Sequence, residues 1–80
     1  MKGVVVYVAP GCGPCAALKG ALDRAGIRYS LADAGSAEGA TLARWRAKGW
    51  RAPVVAIDGA EMSGSPERIR AVIDAARRIG

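Results

Sequence analysis

Hydrophobic and polar positions along the chain follow two different periods. Apolar residues run without a break from Val4 to Val8, which is typical of a strand in the centre of a sheet and buried on both faces. After a turn rich in glycine and proline, apolar residues recur at helical spacing from Leu18 to Ala25, and Gly26 stands where a C-terminal cap belongs. The alternation from Ile27 to Leu31 predicts a second strand with one wetter face. The first half of the chain therefore predicts strand, helix and strand.

Two further helices are predicted in the second half. Leu42 and Trp45 mark the inner face of one helix, which ends at Gly49. The other helix runs from Ser65 to Ile79, with Ser65 as N-cap and Pro66 in the first turn. Its apolar stripe consists of Ile69, Val72, Ile73 and Ala76.

A hairpin separates these two helices. The apolar run Val54 to Ile57 predicts a strand, and the Asp58-Gly59 pair after it is a strong signal for a two-residue turn. Residues 60–63 should therefore return antiparallel to it. The element order βαβ-ββα predicts an α/β fold with a four-stranded mixed sheet and helices on both faces.

The composition is that of a globular protein, since 51% of the 80 residues are hydrophobic and 24% are charged. This length fits one domain spanning residues 1–80. The apolar run from Val4 to Ala9 is too short for a signal-peptide core or a bilayer span, which predicts a cytoplasmic protein without a membrane partner. The net charge of +5 comes from scattered basic residues with few aromatic neighbours, so a solvated surface is favoured over nucleic-acid binding.

Both cysteines of the chain, Cys12 and Cys15, lie in the turn after the first strand. A disulfide that closes so small a loop stabilises a fold by about 2 kcal/mol in the chain-entropy estimate, against about 3 kcal/mol for a 15-residue loop. Structural zinc usually takes four Cys or His ligands, and this chain has two Cys and no His, so a closed zinc site would need a second subunit. Reversible dithiol chemistry is the leading interpretation.

The position of the two cysteines favours this chemistry. A thiol at a helix N-terminus faces unpaired N–H groups and the positive end of the helix dipole, which stabilise a thiolate. Residues three apart lie on one side of a helix, so Cys12 and Cys15 can approach to disulfide distance. Cys12, at the exposed end, is expected to attack, and the deeper Cys15 is expected to resolve.

The segment Cys12-Gly13-Pro14-Cys15 matches the C-G-P-C active-site motif of thioredoxins, and the short βαβ-ββα chain resembles the glutaredoxin branch of that fold. Within this branch it is most similar to the NrdH-redoxins, small electron donors of ribonucleotide reductase. Two further stretches carry the resemblance, RAKGWRAPVV at 46–55 and MSGSPERI at 62–69. The sequence departs from the pattern at Gly11, which stands where thioredoxins have Trp, and at Ser65, which replaces a Phe-Arg pair.

The resemblance implies a thioredoxin/glutaredoxin-like fold and a dithiol-disulfide oxidoreductase without cofactor or metal. Gly13 and Pro14 would support the motif, and a cis bond before Pro53 would expose backbone for a substrate chain. Residues expected to contact substrate or partner are Gly11, Arg51, Ala52, Gly64 and Ser65. Thioredoxin reductase would supply electrons to a monomer, and ribonucleotide reductase or other disulfide proteins would receive them.

Two alternatives remain from the sequence. A glutaredoxin reduced by glutathione is the first, although Gly64-Ser65-Pro66-Glu67 offers no clear acidic cradle for the tripeptide. A Cu(I)-binding module with a C-x-x-C motif is the second, since soft thiolates suit Cu(I). Such modules end on a strand, whereas this chain is predicted to end on a helix.

The tryptophans and the basic residues near the second helix have more than one interpretation. Trp45 is interpreted as a packing residue, and Trp50 fits packing and partner contact equally well. A solvated helix face is the preferred interpretation of the basic residues, with steering of an acidic partner as the alternative. These residues are Arg44, Arg46, Lys48 and Arg51.

Overall fold

The computed structural model describes residues 3–78, and a four-stranded mixed sheet forms its centre. The strands are β1 (Val4–Val8), β2 (Ser30–Asp33), β3 (Val54–Ile57) and β4 (Ala60–Ser63). They lie in the order β2-β1-β3-β4, with β1 parallel to β2 and antiparallel to β3. The predicted central position of the first strand is confirmed. Its burial is less symmetric than predicted, because Val4 and Val6 are buried while the residues between and after them are half-buried.

Helices cover both faces of this sheet, as predicted. They are α1 (Gly13–Arg24), α2 (Gly39–Ala47) and α3 (Ile69–Arg78). Helices α1 and α3 enclose the main core with one face of the sheet, and α2 places Trp45 against Tyr7 on the other face, with ring centroids 5.1 Å apart. The buried residues of the main core are Val4, Val6, Leu18, Leu22, Val55, Ile57, Val72 and Ala76.

The second strand begins later than the sequence pattern predicted. Gly26, at a φ of 72°, ends α1 in a Schellman motif in which the Ile27 N–H donates to the Leu22 carbonyl oxygen at 3.0 Å. Because this bond commits Ile27 to the helix cap, pairing with β1 starts only at Ser30. Leu31 is 54% exposed and lies on β2, an edge strand of the sheet.

The last helix also begins later than predicted, and Ser65 is not its side-chain cap. The Ser65 hydroxyl accepts a hydrogen bond from the Ser63 hydroxyl at 3.2 Å, so it is turned away from the helix. A short 3₁₀ turn at Pro66–Arg68 comes first, and α3 starts at Ile69. The predicted apolar stripe is confirmed, and the predicted end at Ile79 lies outside the described residues.

The hairpin between β3 and β4 forms as the sequence predicted. Asp58 and Gly59 both have positive φ, 51° and 86°, as a two-residue type I′ turn requires. Val54 pairs with Ser63 at the open end of the hairpin. This register brings the residues after β4 beside the residues before β3, close to the two cysteines.

Candidate active site

The two cysteines form a disulfide where β1 is followed by α1. Their Cα atoms are 5.3 Å apart, within the usual range for a disulfide. The expectation that residues three apart at this junction approach each other is therefore confirmed. Gly13 and Pro14 occupy the first two positions of α1 between them, and both are exposed.

Cys12 is the N-cap of α1, and its sulfur takes the role that an oxygen usually has there. The Cys15 N–H donates to the Cys12 Sγ at 3.1 Å. This bond and the helix dipole both favour negative charge on that sulfur once the disulfide is reduced. The local structure therefore favours the thiolate form of Cys12 over its thiol.

The two sulfurs differ in exposure. Cys15, in the first turn of α1, is 3% exposed, whereas Cys12 is only half-buried. An incoming disulfide can reach Cys12 from solvent, whereas Cys15 is shielded from solvent and bonded to Cys12. This asymmetry fits an attacking Cys12 and a resolving Cys15.

The loop before β3 faces Cys12 across the site. The peptide bond between Ala52 and Pro53 is cis, as the resemblance implied, and Pro53 is buried. The Ala52 carbonyl oxygen lies 3.5 Å from the Cys12 Sγ, close enough to accept a hydrogen bond from the reduced thiol. Backbone of this loop thus lies directly beside the reactive sulfur.

Gly64 holds this loop against the core. Its N–H donates to the Pro53 carbonyl oxygen at 2.9 Å. A Cβ at this position would lie 2.7 Å from Leu18 Cδ2 and 3.1 Å from the Pro53 oxygen, so only glycine fits without displacement. Gly64 is therefore a buried packing position, and its contact with a partner stays a prediction.

A groove of about 330 Å³ lies next to the cysteine turn, since its lining includes Pro14, between the two cysteines, and Ala52, whose carbonyl oxygen faces the Cys12 Sγ. One side is built by residues 49–53 and the other by Ser63, Ser65, Pro66 and Glu67. Among the expected contact residues, Arg51, Ala52 and Ser65 line it. Gly11 does not line it and is exposed at a φ of 68°, a backbone conformation that favours glycine over the tryptophan of thioredoxins.

Five residues that line this groove were not among the contact or motif-supporting residues expected from the sequence, although partner contact was one interpretation of Trp50. They are Gly49, Trp50, Ser63, Pro66 and Glu67. Proximity in sequence to Pro53 was the available signal for Trp50, and the predicted hairpin register was the signal for Ser63. The interpretation of Trp45 as a packing residue is confirmed, since it is 4% exposed.

The described part of the chain, residues 3–78, has no group of three or more His, Cys, Asp or Glu side chains placed to hold a metal ion. In the same residues no helix is long and apolar enough to cross a bilayer.

Alkylation of the reduced protein should be faster for Cys12 than for Cys15 at every pH. The helix N-terminus and the Cys15 N–H should hold the pKa of the reduced Cys12 thiol below the free value of about 8.5. Iodoacetamide labelling against pH, followed by mass spectrometry, measures this. A labelling midpoint for Cys12 at or above the free value would contradict the proposed activation.

The fold and the disulfide site together define a thioredoxin-like thiol-disulfide oxidoreductase. The glutaredoxin family model matches residues 4–61, and the chain belongs to that family. Among solved structures it is similar to a point mutant of the thioredoxin-like protein BC3987, with a TM-score of 0.66, 26% identity and full coverage of both chains. The unmutated BC3987 is similar with a TM-score of 0.61 and 25% identity, over 88% of this chain and 97% of that one. No curated protein matches the sequence significantly.

Proposed function

We propose that this protein is a redoxin of the NrdH type, which reduces disulfides in protein substrates and is itself reduced by thioredoxin reductase. Ribonucleotide reductase is the proposed principal acceptor. The observation that carries the proposal is the pairing of a half-buried Cys12, activated at the start of α1, with a buried Cys15 at disulfide distance. The C-G-P-C motif and the stretches at 46–55 and 62–69 support the choice of subfamily.

The reaction follows from the two sulfur positions. The Cys12 thiolate attacks one sulfur of the substrate disulfide, that bond breaks, and the other substrate sulfur leaves as a thiolate that takes up a proton. Cys15 then loses its proton and attacks the Cys12 Sγ of the mixed disulfide. The second substrate thiol is released, and the Cys12–Cys15 disulfide remains. Two electrons and two protons have passed to the substrate.

The groove beside Cys12 gives the substrate a place to lie. An extended segment can pair with the backbone around Ala52, whose carbonyl oxygen is 3.5 Å from the Cys12 Sγ. The substrate sulfur would then approach Cys12 from its exposed side.

The source of electrons distinguishes this proposal from its main alternative. Membership of the glutaredoxin family favours glutathione as reductant. Pro14 within the motif resembles the reducing thioredoxins, whose potential is about −270 mV against about −200 to −230 mV for glutaredoxins. The segment Gly64-Ser65-Pro66-Glu67 offers no clear acidic cradle for the tripeptide, which disfavours that ligand.

NADPH consumption with insulin or ribonucleotide reductase as acceptor decides between the two reductants. The assay is run once with thioredoxin reductase and once with glutathione plus glutathione reductase. We expect turnover with thioredoxin reductase and little with glutathione. Turnover with glutathione alone would reject the proposal in favour of a glutaredoxin, and turnover with neither, together with tight Cu(I) binding, would favour the metal-binding module.

A further inference from the structure

The groove beside Cys12 carries opposite charges on its two sides. Arg51 lines the side built by residues 49–53, and Glu67 lines the other side. Both side chains are exposed. A segment bound in the groove would therefore meet a cation on one side and an anion on the other.

Trp50 also lines the groove, and its ring contacts a second cation, Lys48, which is not itself a lining residue. The backbone N–H of Trp50 donates to the Trp45 carbonyl oxygen at 2.9 Å, in the Schellman motif that ends α2. The Lys48 Nζ lies 4.5 Å from the centre of the Trp50 ring, a cation–π contact. We call the surface formed by Lys48, Trp50 and Arg51 the basic wall.

The charges of the groove are not neutralised by neighbouring side chains. Within residues 3–78 the ion pair that forms is Arg44 with Glu61, at 2.9 Å, which links α2 to β4. The charge of Arg44 is therefore paired, whereas Lys48, Arg51 and Glu67 have no salt-bridge partner among the described residues. These three groups are available to a ligand.

We propose that the basic wall selects protein substrates that carry an acidic side chain beside the reactive disulfide. The proposal rests on the protein-disulfide reduction proposed above and names the substrate class for that same groove. Arg51 is adjacent to Ala52, whose carbonyl oxygen lies 3.5 Å from the Cys12 Sγ. At about 3.3 Å per residue of extended chain, the acidic residue lies within one to three positions of the substrate cysteine.

Glu67 lines the same groove as Arg51 and would repel an acidic side chain that lies against its carboxylate. The groove should therefore accept a single acidic residue beside the disulfide better than acidic residues on both flanks.

Competition between model peptides tests this selectivity. Each peptide has the same length and one internal disulfide, with Gln on both flanks, Glu on the N-terminal flank, Glu on the C-terminal flank, or Glu on both. The reduced protein is mixed with pairs of peptides, and mass spectrometry gives the ratio of their rates. At low salt we expect a peptide with Glu on one flank to be reduced about three- to tenfold faster than the peptide with Gln on both flanks. The reason is that each exposed charge pair contributes up to about fivefold. The preference should fall as salt rises.

Matched variants show whether the basic wall causes the preference. Arg51→Gln combined with Lys48→Gln should bring the ratio of the rates for the Glu and Gln peptides close to one. Arg51→Glu should favour a peptide with Lys in place of the Glu. Glu67→Gln should relieve the penalty for Glu on both flanks. Arg28→Gln is the control, because it removes the same charge at the end of the sheet where β1 begins, away from Cys12.

Each outcome bears on the proposal. Equal rates for all peptides would overturn the selectivity while leaving protein-disulfide reduction intact. A drop in the ratio for Arg28→Gln as large as that for Arg51→Gln would show that net charge, and not the basic wall, causes the preference. Failure to reduce any of the peptides would overturn the proposed function and the selectivity with it.

Discussion

Replacing Cys15 by serine is expected to leave the protein covalently attached to its substrate. Cys12 can still attack a disulfide, but without Cys15 at its 5.3 Å Cα distance no thiol resolves the mixed disulfide. Replacing Cys12 by serine should lower the rate of substrate reduction to the uncatalysed background, because the buried Cys15 cannot contact a substrate disulfide. Mass spectrometry of each variant after mixing with a disulfide peptide measures the adduct.

The two single variants control for each other, since both remove one sulfur from the same turn. A double variant, with both cysteines replaced by serine, should form no adduct and gives the background. Equal adduct formation by both single variants would show that the assigned roles of attacking and resolving sulfur are wrong.

Replacing Trp45 by alanine is expected to lower the free energy of unfolding by about 3–5 kcal/mol, the usual cost of removing a buried aromatic side chain. Trp45 is 4% exposed and packs edge to face on Tyr7, at 5.1 Å between ring centroids. This loss is large against the total of about 5–15 kcal/mol typical of a folded domain. Urea titration followed by circular dichroism measures it.

Two variants test the reason for this loss. Trp45→Phe should cost much less than Trp45→Ala, because the indole N–H has no hydrogen-bond partner among the described residues and a smaller ring still contacts Tyr7. Trp50→Ala removes the same side chain from a half-buried position and should also cost less. If Trp50→Ala proves as destabilising as Trp45→Ala, burial beneath α2 is not the source of the stability.

The sequence pattern predicted the strands that pair in the centre and in the hairpin. Val4–Val8, Val54–Ile57 and Ala60–Ser63 have the predicted bounds, because an unbroken apolar run and an Asp-Gly turn each depend on local chemistry. The late starts of β2 and α3 were missed for a common reason. Ile27 is held by a helix cap, and the Ser65 hydroxyl is held by Ser63, and neither contact is visible in a hydrophobic pattern.

The approach of the two cysteines was likewise predictable from motif and spacing, and the cis bond before Pro53 was implied by the resemblance to the thioredoxin fold. The contribution of Gly64 was not predictable, because its need for glycine arises from Leu18 on a helix more than forty residues earlier in the chain. Nor could sequence distinguish the roles of the four basic residues near α2. Their roles depend on which acidic side chain lies nearby. Arg44 forms a salt bridge with Glu61 on β4 and is therefore not available to a partner.

The difference in exposure between the two sulfurs also bears on how the protein withstands peroxide. An oxidant arriving from solvent meets the half-buried Cys12 before the buried Cys15, and its first product is a sulfenic acid on Cys12. With Cys15 at disulfide distance, that sulfenic acid condenses with the second thiol, water leaves, and the product is the Cys12–Cys15 bond. The sulfinic and sulfonic stages, which inactivate a thiol permanently, are bypassed. We therefore expect peroxide to convert the protein into the same Cys12–Cys15 disulfide that substrate reduction leaves, so that reduction of this disulfide in the proposed cycle also reverses the oxidation by peroxide.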